Sequence, residues 1–101
     1  MFNTCDQKGF HITFDNGYTV SVQFGAGNYC DNYDLRIMDY HDKAVPPSRT
    51  AETALLAPNG DFVEYKGDDV QARQTPEDVL ELLNYAASLA QYTEVLMIGH
   101  D

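Results

Sequence analysis

The chain has 101 residues, 44 % of them apolar, with seven Tyr and five Phe, which suits one folded domain (residues 1–101) with a modest core and excludes a disordered tract. Six Lys and Arg stand against sixteen Asp and Glu, a net charge of −10, too few cations to build the basic face that direct nucleic-acid binding needs. No apolar run reaches the roughly 18 residues of a membrane-spanning helix.

The N-terminus, Met1 to Asp6, lacks the basic start and apolar stretch of a secretory signal, so the protein is expected in the cytoplasm. There a disulfide between Cys5 and Cys30 is disfavoured.

The first predicted element is a hairpin, FHITFDNGYTVSVQF. Phe10, Ile12 and Phe14 alternate, and so do Tyr18, Val20, Val22 and Phe24. A two-residue Asn16-Gly17 turn would throw the two apolar rows onto opposite faces. A three-residue loop, Asp15-Asn16-Gly17, instead sets Phe14 against Tyr18, Ile12 against Val20 and Phe10 against Val22, with Gly17 in a left-handed bulge position.

From Gly25 to Thr50 the pattern breaks, over about twice the length at which a structureless loop in a compact domain becomes suspect. Leu35 to Met38 reads as a brief strand, and Val45-Pro46-Pro47 as an exposed, stiffened linker. A second hairpin follows in ETALLAPNGDFVEYK, where the Pro58-Asn59-Gly60 turn pairs Ala57 with Asp61, Leu55 with Val63 and Thr53 with Tyr65. Thr75-Pro76-Glu77-Asp78 is a helix start with cap, first-turn proline and capping-box acid. Val79, Leu82, Leu83, Ala86 and Ala90, broadened by Leu80 and Ala87, give the apolar stripe of a helix running to about Gln91. Glu94 to Ile98 reads as a short last strand. The expected fold is α+β: two antiparallel β-hairpins forming a small sheet, one C-terminal helix packed on it, and that final strand.

Functional residues are expected in the irregular stretch, because binding groups concentrate on loops that rigid elements hold in place. Tyr29, Tyr33 and Tyr40, with Asn28 and Asn32, are the residue types that interfaces favour. Asp31 and Asp34 would act as steering charges towards a basic partner. Gly25-Ala26-Gly27-Asn28 could form a backbone nest for an anion, although no Lys or Arg follows it. Asp31, Asp34, Asp39 and Asp42 lack the spacing of a calcium loop. Cys5, Cys30, His11 and His41 are the one set that could converge on zinc, and Cys30 with His41 or His11 the one nucleophile–base pair. No metal or cofactor is assigned.

Within FHITFDNGYTVSVQFGAGNYCDNYD the chain resembles small proteins encoded by tailed phages and prophages. They share an aromatic strand, Asn-Gly (Asn16-Gly17), a TVSVQ-like strand (Thr19 to Gln23) and Gly-x-Gly-Asn-Tyr-Cys (Gly25 to Cys30). Relatives often carry proline where this chain has Ala26. The likeness continues weakly through Thr53-Ala54, Gly67-Asp68-Asp69-Val70 and Thr75 to Asp78, and carries no established activity. It implies a mobile-element accessory protein acting inside a bacterium. The expected function is therefore non-catalytic binding of a basic surface, inhibiting a host defence component. The alternatives are a sponge for a nucleotide signal and a minor enzyme using Cys30.

Overall fold

The computed structural model describes residues 1–92. In chain order these form β1 (Phe2–Thr4), β2 (Gly9–Thr13), β3 (Thr19–Gln23), a 3₁₀ turn (Ile37–Tyr40), β4 (Ala51–Leu56), β5 (Phe62–Val63), β6 (Val70–Gln74) and α1 (Pro76–Ser88). The fold is α+β, with a six-stranded antiparallel sheet in the order β1-β2-β3-β4-β5, and β6 also paired to β4. The predicted strand Glu94 to Ile98 lies outside the described residues. Among the described residues no helix is long and apolar enough to cross a membrane.

The first hairpin has the register that alternation demands. Phe10 pairs with Val22 and Ile12 with Val20. The Phe14 N–H donates to the Tyr18 carbonyl at 2.9 Å, and Gly17 turns the chain at φ +95°. β3 continues the same face into β4, Val20 opposite Leu55 and Val22 opposite Thr53. Helix α1 covers that face over β3, β4 and β6. The core is thus Val20, Val22, Ala51, Leu55 and Tyr65 against Leu82 and Ala86.

Three expectations are corrected, and one strand is added to them. Residues 2–4 are a strand, joined to β2 by a tight turn with left-handed Asp6 and Gln7 (φ +47° and +58°); neither residue type advertises that turn as Asn-Gly does. Leu35 to Met38 is not a strand. Its backbone is satisfied by local turn bonds, Leu35 N–H to Asn32 and Asp39 N–H to Arg36, and Ile37 and Met38 stay exposed.

In the second hairpin Leu55 meets Val63 as expected, but Tyr65 does not reach Thr53. Val63 and Val70 face the consecutive residues Leu55 and Ala54. Residues 64–69 are therefore an excursion from what is otherwise one strand along the β4 edge. It is pinched by a Tyr65–Asp68 bridge, with Lys66 and Gly67 left-handed. Thr53 is paired with Gln71 instead. The excursion folds Tyr65 into the core against the Tyr85 ring, centroids 4.9 Å apart, and brings Lys66 to Glu81.

The helix begins as expected. The Asp78 N–H donates to Thr75 Oγ1 at 3.2 Å, and the Thr75 N–H to Asp78 Oδ2 at 2.9 Å. It ends at Ser88, one turn early, because Asn16 caps it from the first hairpin: its Nδ2 donates to the carbonyls of Ala86 at 2.8 Å and Leu89 at 3.0 Å. Its buried stripe is correspondingly narrow. Leu80, Ala87 and Ala90 face away from the sheet, exposed.

Candidate functional site

Residues 25–34 leave β3 as a run of tight turns held from four sides. Asn28 Oδ1 accepts the Gly25 N–H at 3.0 Å, and its Nδ2 donates to Glu52 at 2.9 Å. Asn32 is buried, and its Nδ2 donates to the carbonyls of Phe24 at 2.8 Å and Pro46 at 2.9 Å. Asn28 and Asn32, expected as contact residues, are thus internal braces, and the Pro46 bond ties the linker to the strand exit. The Arg73 N–H donates to the Tyr29 carbonyl at 2.7 Å, and its guanidinium to the Cys30 carbonyl at 3.2 Å. Asp31 accepts from Arg49 Nε at 3.0 Å and Thr50 Oγ1 at 3.0 Å. Those bonds, the arginine's first, hold its carboxyl below the usual carboxylate range.

These braces leave Tyr29 and Tyr33 outside. Their rings lie nearly parallel, 10° apart with centroids at 5.6 Å, while 51 % and 43 % of the two residues stay exposed. Asp34 follows them, also exposed. Tyr40 does not join them. It is half-buried and lines a separate recess with Lys8, Ile37 and His41.

The geometry bears on the other chemistries that the loop suggested. An anion nest needs free backbone donors, yet the N–H groups of Gly25, Gly27 and Asn28 are committed to Asn28 Oδ1, the Tyr33 carbonyl and the Gly25 carbonyl. Cys30 is fully buried with its thiol turned to the Gly25 carbonyl at 3.7 Å, which leaves a substrate no route to the sulfur. Both cysteines are free thiols. Among the described residues no group of three or more His, Cys, Asp or Glu could hold a metal ion, so Cys5, Cys30, His11 and His41 do not converge.

Beside Tyr29 lies a recess of about 500 Å³ whose lining, besides the apolar Val70 and Ala72, consists of Tyr29, Lys66, Asp68, Gln71, Gln74 and Asp78. None of the last five is legible as a neighbour of Tyr29 from the sequence. They arrive through the 64–69 excursion, the outer strand β6 and the helix start. Gly67-Asp68 is a turn-forming pair in that stretch, with Gly67 at φ +89°. Lys66 is paired with Glu81, which raises its ammonium above the usual range. Asp78 is held below the carboxylate range chiefly by the Thr75 backbone N–H.

Comparison of the chain with protein-family models, with curated proteins and with solved structures returns no match.

Proposed function

We propose that this chain is a non-catalytic binding protein whose partner presents a basic surface. In the mobile-element setting that the sequence resemblance implies, that partner is a host defence component, engaged where it would hold nucleic acid. One observation carries the reading: the parallel Tyr29–Tyr33 pair is left half exposed on a loop pinned from four sides. Rigid aromatic rings supply contact area at little cost in conformational entropy, and here the backbone that carries them is already tied down. The net charge of −10 steers a basic partner and repels nucleic acid.

The test is capture from a bacterial host lysate with the tagged chain as bait, at low and high salt, using the parent and a Tyr29→Ala/Tyr33→Ala double variant. A basic protein retained at low salt, released at high salt and lost with the double variant is the expected result. Buried aromatic anchors lose about 2 kcal/mol or more of binding when truncated. A nucleotide released from the purified protein on denaturation, with protein capture indifferent to the tyrosines, would replace this reading with the sponge.

A further inference from the structure

The recess beside Tyr29 combines an aromatic residue with acidic side chains. Tyr33 stacks on one face of the Tyr29 ring, and Tyr29 is among the residues that line the recess. Two carboxylates, Asp68 and Asp78, line it against a single cation, Lys66, which Glu81 already neutralises. The two ion pairs found among the described residues, Arg49–Asp31 and Lys66–Glu81, do not include Asp68 or Asp78. Asp78 commits Oδ2 to the Thr75 N–H. Gln71 also lines the recess and is 8 % exposed; its Nε2 donates to the carbonyls of Tyr65 and Asp68, while its buried Oε1 accepts from no group. The site therefore offers an aromatic residue and two carboxylates that outnumber its one cation, Lys66, which attracts Asp78 but is itself paired with Glu81.

That combination selects a cation that is planar and rich in donors. A guanidinium stacks on an aromatic face, carries five N–H groups in a fixed fork and is weakly hydrated; an ammonium is a compact, strongly hydrated point charge. A phosphate or a nucleotide would meet Asp68 and Asp78 with like charge. We infer that this recess receives an arginine side chain of the basic partner, with Tyr29 as the stacking wall and Asp68 and Asp78 as the counter-charges. The inference rests on the basic-surface reading and narrows it from net charge to one side-chain type and one place.

The probes are two capped peptides, alternating Arg-Gly and alternating Lys-Gly, matched in length and charge, with adenosine monophosphate as a third. Each is titrated calorimetrically into the full chain, its Tyr29→Leu variant and its Asp68→Asn variant, whose folding is checked by urea melts. The Arg peptide is expected to bind about fivefold more tightly than the Lys peptide, the scale of a partly desolvated cation–π contact. Tyr29→Leu should erase that preference, and Asp68→Asn should weaken both peptides. Equal binding of the two peptides, or an arginine preference that survives Tyr29→Leu, overturns the inference while leaving the basic-surface reading standing. Failure of both peptides to bind overturns it as well, and the lysate capture then decides the broader reading separately. Binding of adenosine monophosphate in the recess overturns both.

Discussion

Arg73 donates its backbone N–H to the carbonyl of Tyr29 at 2.7 Å. It does so from a left-handed conformation, φ +52°, inside a strand. The cause lies in the ladder: Ala51 faces Gln74 and Thr53 faces Gln71, so two steps along β4 answer three along β6. The extra residue bulges out and turns its N–H away from β4 towards the loop. A bulge on the outer strand is thus one of the braces that hold the tyrosine loop.

Substitutions at Arg73 should separate its two roles. Arg73→Ala removes the guanidinium bond to Cys30 and keeps the left-handed backbone. Arg73→Gly removes the same bond and relieves the backbone, so it should be the more stable by about 1 kcal/mol. Urea melts of the two variants decide; a glycine variant no more stable than the alanine variant would argue against the bulge.

Gly17→Val should cost more than about 2 kcal/mol, for two reasons that add. The residue stands at φ +95°, and a Cβ there would lie 2.8 Å from Pro58 Cγ. Pairing it with Pro58→Ala should recover only the steric part. Full recovery in denaturant melts would show that backbone conformation contributes nothing.

Thr75→Ala should lower stability by about 1 kcal/mol through loss of the cap. The reciprocal bond has a pH signature. The Asp78 carboxyl is held below its ordinary value in the folded chain, so the folded state binds that proton less readily than the unfolded state. Its contribution is complete above the unfolded carboxylate range near pH ~4 and fades as pH falls through the folded value. Asp78→Asn should therefore lose stability against the parent at neutral pH, with the two curves converging in acid. A difference independent of pH would sink the assignment.

Thr53→Val should stabilise the fold. Thr53 is 1 % exposed and its Oγ1 has no hydrogen-bond partner. Replacing a buried, unpaired hydroxyl by a methyl of the same shape removes a desolvation penalty of about 1 kcal/mol or more. A lower urea midpoint would instead mean that Thr53 bonds its cross-strand neighbour Gln71.

A native thiol titration should find one fast group. Cys5 is partly exposed and Cys30 buried, so a disulfide exchange reagent should label Cys5 in buffer and both residues in urea. Two equally fast thiols would contradict the burial on which the loop's internal bracing depends.

The first hairpin was legible because every determinant is local: strict alternation on both arms and a glycine where the turn needs φ above zero. The helix start was legible for the same reason, Thr75 and Asp78 being three residues apart. The second hairpin was legible only as far as Val63. Whether Tyr65 pairs with Thr53 or folds over α1 depends on the helix it packs against, and no window around residue 65 contains that information. The loop was legible as an irregular stretch but not in the contacts its side chains make. Tyr29 and Tyr33 do stand exposed side by side; Asn32 is buried, and Asn28 and the still exposed Asp31 are likewise bound to their own chain, because partners as distant as Glu52, Pro46 and Arg49 claim all three. An asparagine that binds a carbonyl of its own chain and one that awaits a partner look alike in sequence.

Asn16 has a bearing on how quickly the chain folds and how long it stays folded. Its two bonds to the end of α1 join groups 70 and 73 residues apart. The turn that holds it can form within microseconds from local contacts, but these bonds must wait for closure of nearly the whole chain. Interactions made after the rate-limiting barrier act as a latch, not a nucleus: they leave the folding rate alone and slow escape from the native state. Asn16→Ala should accordingly move chiefly the unfolding arm of a chevron, with any slowing of folding owed to the local Tyr18 N–H bond that Asn16 Oδ1 also accepts. One amide at the tip of the hairpin thus lengthens the lifetime of the folded chain.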